Sequence, residues 1–276
     1  MGEYFNAQHR THNYDVVICN SEFGHAVNHP RAINVLHGGG GGYARSVEQF
    51  VDSVVTERRL GKVPMQRVAA KGKYVVAISN FTKKMVGLDG ISVDDVIPLS
   101  VDTSVFSPDG YVQISDTYLA ASLSNYIEKG FDRLEALASR GLKIRLFGGS
   151  GFEAPSLDVR CHIDSSLLSK EYNKTPVFLN PTRFEGAGLT TLEAMASGCP
   201  VLTTPTGYGC DMRDVVPDFV VENPDDVEEW LTKIDILSAD REKYSKEALD
   251  YFWKFHNPDD FKSKWLNLLE NLTKNG

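Results

Sequence analysis

Residues 177–204, VFLNPTRFEGAGLTTLEAMASGCPVLTT, leave the chain the fewest folding choices. An apolar run ends at Asn180-Pro181, and a loop with Glu185 and two glycines follows. An apolar segment then carries Glu193, and Gly198 with Pro200 leads into a second apolar run. Strand, loop, helix, strand at this length is one βαβ crossover, which commits the chain to parallel sheet. The spacing predicts a helix over 189–197, with Leu189, Leu192, Met195 and Ala196 on one side and Gly198 as a left-handed stop. Glu193 lies off that stripe.

Ahead of the helix, Gly186-Ala187-Gly188 lets backbone come close to a ligand, and the first N–H groups of the helix favour an anion there. A diphosphate suits the position. Glu185 in the loop and Glu193 a turn inside the helix can each accept hydrogen bonds from vicinal hydroxyls, one side a sugar and the other a ribose. A closed turn with two solvated carboxylates explains a lone Gly-x-Gly and a nearby acid equally well. The spacing Glu-x7-Glu inside EGAGLTTLEAMASGCPV, however, resembles the signature of retaining glycosyltransferases of family four.

The resemblance runs from about Tyr14 onward. It implies an α/β protein of GT-B type, with two Rossmann-like parallel-sheet domains facing a cleft and the N-terminal one shortened. The expected division is residues 1–108 for the acceptor side, 109–247 for the nucleotide-sugar side, and 248–276 as helices crossing back. The linker signal at 108 is Pro108-Asp109-Gly110.

Elements read along the chain as strands over 14–19, 32–36, 74–79, 96–99, 118–123, 142–147 and 219–221. Helices are expected over 132–139, from Asn80 or Thr82 as cap, from 224–231 with acids in the first turn, and over 241–272 with a break near Asn257-Pro258. Tail aromatics, among them Trp253 and Phe255, read as packing residues. The Lys83-Lys84 pair reads as a solvated helix face.

His37 follows the strand over 32–36, where open α/β sheets place ligands. On its own it is as well read as structural. Gly38 to Gly42 suggest either a loop that wraps a ligand or a flexible linker. The resemblance implies that His37-Gly38 faces the donor sugar, with His37 and Glu185 as catalytic residues. It implies that Lys129, Gly186, Ala187, Gly188, Leu189, Thr190 and Glu193 hold the donor, and that Gly148-Gly149 border the nucleotide pocket. His162 and Tyr172 could reach a base, though surface roles suit each as well. The family's Gly-Arg pair has no counterpart in Ala121–Asn125, which leaves open who supplies a second positive charge.

The implied reaction is transfer of a hexosyl-type group from a UDP- or GDP-linked sugar to an acceptor hydroxyl, with retention, no metal and no cofactor. The acceptor would be a glycan or small molecule, with an oligomer or partner protein as a candidate to complete the acceptor side. A non-catalytic or partner-dependent module that binds a nucleotide sugar is the alternative, and an epimerase on the same fold a third.

A formal charge of −8 over 276 residues argues against wholesale nucleic-acid binding. Four cysteines without C-x2-C or zinc spacing, no apolar run of about 20 residues and a polar N-terminus suggest a reduced, cytoplasmic chain with no transmembrane segment. Asn80, Asn173 and Asn271 open glycosylation-like triplets, read as chance.

Overall fold

The computed structural model describes residues 13–110, 112–121, 127–148, 154–160 and 163–274. It divides into two compact units, each on its own parallel sheet. The first takes in described residues up to Leu99, Glu185–Ala187 and the chain from Asp259; the second takes in Ser100–Phe184 and Gly188–Pro258. These divisions fall at 99 and 258, where 108 and 247 were expected. Two contacts explain the shift. Asn173 accepts from Asp109 N at 2.7 Å and donates to Ser107 O at 3.1 Å, so the stretch around Pro108 is pinned to the second unit. Ser245 Oγ donates to Gly198 O, and Ala248 and Phe252 are fully buried in the same unit.

In the first unit β1 (Val17–Asn20), β2 (Ala32–Leu36), β3 (Tyr74–Ala77) and β4 (Asp95–Val96) lie side by side in chain order, all parallel. Every side chain of β2 is buried, as a strand covered on both faces requires. Leu36, Val75, Val86 and Ile91 form its core. The helices are α1 (Gly40–Val47), α2 (Ser53–Leu60), α3 (Lys62–Ala70) and α4 (Asn80–Leu88). The cap of α4 is Ser79, where Asn80 or Thr82 was expected. Ser79 is still extended at the strand end, so its Oγ can accept from Thr82 N at 2.9 Å, while its two neighbours are already helical.

The glycine run is neither a linker nor an open loop. Gly40, Gly41 and Gly42 form the first turn of α1, although each glycine weakens a helix by about 1 kcal/mol relative to alanine. The reason is proximity: a Cβ on Gly40 would stand 2.4 Å from Arg59 O, one on Gly41 2.1 Å from Asp89 Oδ1, and one on Gly42 2.8 Å from Met85 Cβ.

The second unit holds β5 (Thr117–Ala121), β6 (Lys143–Phe147), β7 (Asp158–Arg160), β8 (Phe178–Asn180) and β9 (Val201–Thr203) in the order β7-β6-β5-β8-β9, all parallel. Its helices are α5 (Phe131–Ser139), α6 (Ser165–Lys174), α7 (Leu189–Ala196), α8 (Tyr208–Met212), α9 (Val227–Ala239) and α10 (Arg241–Phe255). A last helix, α11 (Pro258–Lys274), follows the expected break.

The anticipated strand over 219–221 is a 3-10 turn, Pro217–Phe219, followed by a single parallel bridge from Val220 to Thr203. Leu189 is 46% exposed and does not join the apolar side of α7, which instead buries Thr191 and Ala194 with Leu192 and Met195. Trp253 and Phe255 are 48% and 39% exposed, because α10 turns Tyr251 and Phe252 inward. Among the described residues no helix is long and apolar enough to cross a membrane.

Candidate functional site

From β5 the second sheet grows through β6 and β7 on one side and through β8 and β9 on the other. The order therefore reverses between β5 and β8, and ligands of open α/β sheets bind beyond the carboxyl ends of strands at such a point. Two loops meet there. Thr182 Oγ1 and Arg183 N both donate to Glu128 O, at 3.2 and 2.9 Å, tying the turn that carries Lys129 to the chain leaving β8.

Gly130 is required by this join. Its φ is +70°, and a Cβ would stand 2.0 Å from Pro181 O. Lys129 is half-buried beside it.

Two buried arginines that the sequence reading did not single out fix this geometry. Arg183 donates bidentately to Asp132, both contacts 2.7 Å, and to Ile127 O at 2.7 Å. Arg133 donates to Pro181 O at 2.8 Å and to Asp225 at 2.9 Å, and burial pulls its guanidinium below its ordinary value. With both guanidinium groups committed to protein partners, neither replaces the family's absent arginine. Only the proximity of Arg183 to Glu185 in sequence hinted at it.

Gly188, at φ +115° and ψ 63°, is the N-cap of α7 and has no side chain with which to cap it. Thr190 is half-buried in the first turn and Leu189 lies exposed beside it. One turn on, Glu193 is half-buried and accepts from the Tyr172 hydroxyl at 3.1 Å through Oε2. Burial pushes its carboxyl up to about 7, against the lowering effect of that hydrogen bond. Tyr172 is completely buried, with its ring edge-on to Phe178 at 5.3 Å, so neither a base contact nor a surface role fits it. His162 and Gly149 lie outside the described residues. Gly148 ends β6 at φ +101°, with its N–H donating to Arg160 O at 3.2 Å.

His37 and Gly38 end β2 in the first unit, which also takes in Glu185–Ala187. A Cβ on Gly186 would stand 1.8 Å from His37 O, so only glycine passes that carbonyl. Thr82 Oγ1 donates to Gly186 O at 2.9 Å, and Ser79 Oγ also donates to it. Glu185 is half-buried and Ala187 buried. Desolvation holds His37 below its ordinary value even though part of its surface is exposed, which keeps the imidazole neutral near pH 7. Among the described residues no three His, Cys, Asp or Glu side chains group as a metal site.

Two parallel-sheet units with this strand order are the GT-B architecture, and solved structures agree. Sucrose-phosphate synthase from Thermosynechococcus elongatus superposes with a TM-score of 0.79 at 18% identity, over 99% of this chain and 77% of that one. Residues 130–240 match the family model described as glycosyl transferases group 1. The sulfoquinovosyl transferase SQD2 of Arabidopsis thaliana is 38% identical over 81 residues, 27% of this chain and 15% of that protein. Poly(glycerol-phosphate) alpha-glucosyltransferase of Bacillus subtilis is 28% identical over 133 residues, 42% of this chain and 20% of that protein. The similarity thus spans a fifth or less of either curated relative.

Proposed function

We propose that the chain transfers a glycosyl group from a nucleoside diphosphate sugar to an acceptor hydroxyl with retention at the anomeric carbon. One observation carries this reading: at the switch point of the second sheet, a helix whose N-cap residue, Gly188, has no side chain to cap it carries the half-buried carboxylate of Glu193. Free N–H groups at a helix start suit the leaving diphosphate, and Lys129 in the adjoining turn adds a positive charge. Glu193 accepts from the ribose hydroxyls and Glu185 orients the sugar. A neutral His37 donates a hydrogen bond to the sugar rather than a second charge, and as charge develops on the leaving group the helix start and Lys129 stabilise it. Neither metal nor cofactor is assigned to the step.

A thermal-shift screen with UDP- and GDP-sugars tests the donor site, since a ligand of the folded state must raise its melting temperature. No shift with any of them would sink the reading. His37→Ala should lower turnover more than affinity, and Glu193→Ala affinity more than turnover; the opposite pattern would reverse the roles.

The departure at Ala121–Asn125 favours a second reading, a module that binds the nucleotide sugar but needs a partner for transfer. Ligand-dependent stabilisation without sugar transfer or hydrolysis would select it.

A further inference from the structure

Tyr172 stands out because it is a fully buried hydroxyl pointed at a carboxylate that the donor site needs. We propose that Tyr172 is a positioning residue: its hydroxyl fixes the rotation of the Glu193 carboxylate and helps keep it ionised, and so sets how the affinity for a nucleoside diphosphate depends on pH. The inference rests on the donor-site reading above.

The geometry supports each part. Tyr172 lies on the inner side of α6, clamped between Phe178 edge-on at 5.3 Å and Phe106 at 6.2 Å, so its ring cannot turn away. Its O–H reaches Oε2 of Glu193 at 3.1 Å and leaves Oε1 for an incoming hydroxyl pair. The phenol stays protonated throughout, because burial and the neighbouring carboxylate both push it well above its ordinary value. It is therefore a donor at every working pH.

Charged help from elsewhere is scarce. The turn between α7 and β9 brings Cys199, whose thiol burial pushes up to about 12 and which therefore stays neutral. From α10 comes Arg241, committed to Thr175 O and Asn173 O, each at 3.1 Å. From β8, Asn180 donates to Thr191 Oγ1 at 3.0 Å and carries no charge. Among the described residues no cation is paired with Glu193, and the Tyr172 hydroxyl is the group there that favours its charged form.

The consequence has a definite sign. Ribose hydroxyls donate to a carboxylate, so affinity weakens as Glu193 takes up a proton, by up to about tenfold for each pH unit below its midpoint until only the neutral form's weaker binding remains. Removing the Tyr172 hydroxyl moves that midpoint up. Calorimetric titration of UDP and GDP from pH 6 to 9 on the whole chain tests this with wild type, Tyr172→Phe and Glu193→Gln.

Wild type should lose affinity below about pH 7. Tyr172→Phe should bind 3- to 10-fold more weakly at pH 7 and recover to within about threefold by pH 9. Glu193→Gln should bind weakly at every pH, and its residual slope reports the phosphate's own titration. Coincident profiles for wild type and Tyr172→Phe would overturn this inference alone. A wild type that binds neither nucleotide at any pH would overturn the donor-site reading and this inference together. If Tyr172→Phe does not fold, fluorotyrosine at position 172 replaces it: this stronger hydrogen-bond donor of nearly the same size should move the pH midpoint of nucleotide affinity down, and an unmoved midpoint would overturn the proposal.

Discussion

Two of the chain's glycine-rich stretches, Gly38–Gly42 and Gly186–Gly188, look alike in sequence, and their amides have different fates. In Gly38–Gly42 the N–H of Gly40 donates to Gln66 Oε1 and that of Gly41 to Asp89 Oδ2, both at 3.1 Å, while Asp89 also takes Arg45 at 3.0 Å. Those amides are closed to a ligand, and the missing side chains let α1 press against α2 and α4. In Gly186–Gly188 the N-cap residue of the helix that follows, Gly188, offers its amides no side-chain acceptor. Glycine content alone does not separate packing from binding; the hydrogen-bond partners of the adjoining amides do.

That contrast can be broken at several points. Gly41→Ala should cost the most, about 3 kcal/mol or more, because its Cβ would meet the Asp89 carboxylate that caps the helix. Denaturant unfolding with hydrogen exchange on α1 would show it, and a mild effect would mean that the run is looser than a packed turn. Gly130→Ala should cost about 2–3 kcal/mol through positive φ and the Pro181 carbonyl, and should also weaken nucleotide binding by disturbing Lys129.

Glu193→Gln should act in the other direction on stability. The folded carboxyl sits near 7 against an ordinary 4.5, so the native state holds the extra proton between those values. The stability linked to this group is therefore full below about 4.5 and is lost as pH rises to about 7. Removing the charge should stabilise the protein by about 1–2 kcal/mol at pH 8 and by little at pH 4.5, read from melts at both pH values. Leu189→Ala, at an exposed position in the first turn of α7, should change stability by less than about 0.5 kcal/mol.

Much of the second unit was readable in advance because its signals are local. The βαβ pattern, the left-handed Gly198 at φ +72° and the acids opening α9 each depend on residues a few positions apart. The strand order and the switch point depend on pairing between distant segments, which periodicity does not carry. Arg133 and Arg183 escaped notice, and Tyr172 was given the wrong role, for the same reason: their roles come from partners 21 to 92 positions away. The glycine run misled because its neighbours come from later segments, Arg59 from α2, Met85 from α4 and Asp89 from the end of α4. Leu189 fitted helical spacing yet points outward, since burial of α7 is set by α6 and α10 rather than by its own sequence.

The Asn173 amide, pinned between Ser107, Asp109 and Ser169, carries a practical lesson for whoever produces the protein. Asn173-Lys174-Thr175 fits the carbohydrate-acceptor triplet, but an amide with Nδ2 donating to two carbonyls and only 7% of its residue exposed cannot take a glycan once folded. In a secretory host the modifying enzyme would compete with folding for this residue, and a chain glycosylated there would lose the clasp around Pro108. Production in a bacterial cytoplasm avoids that competition, and Asn173→Gln is a poor remedy because it loosens the same clasp.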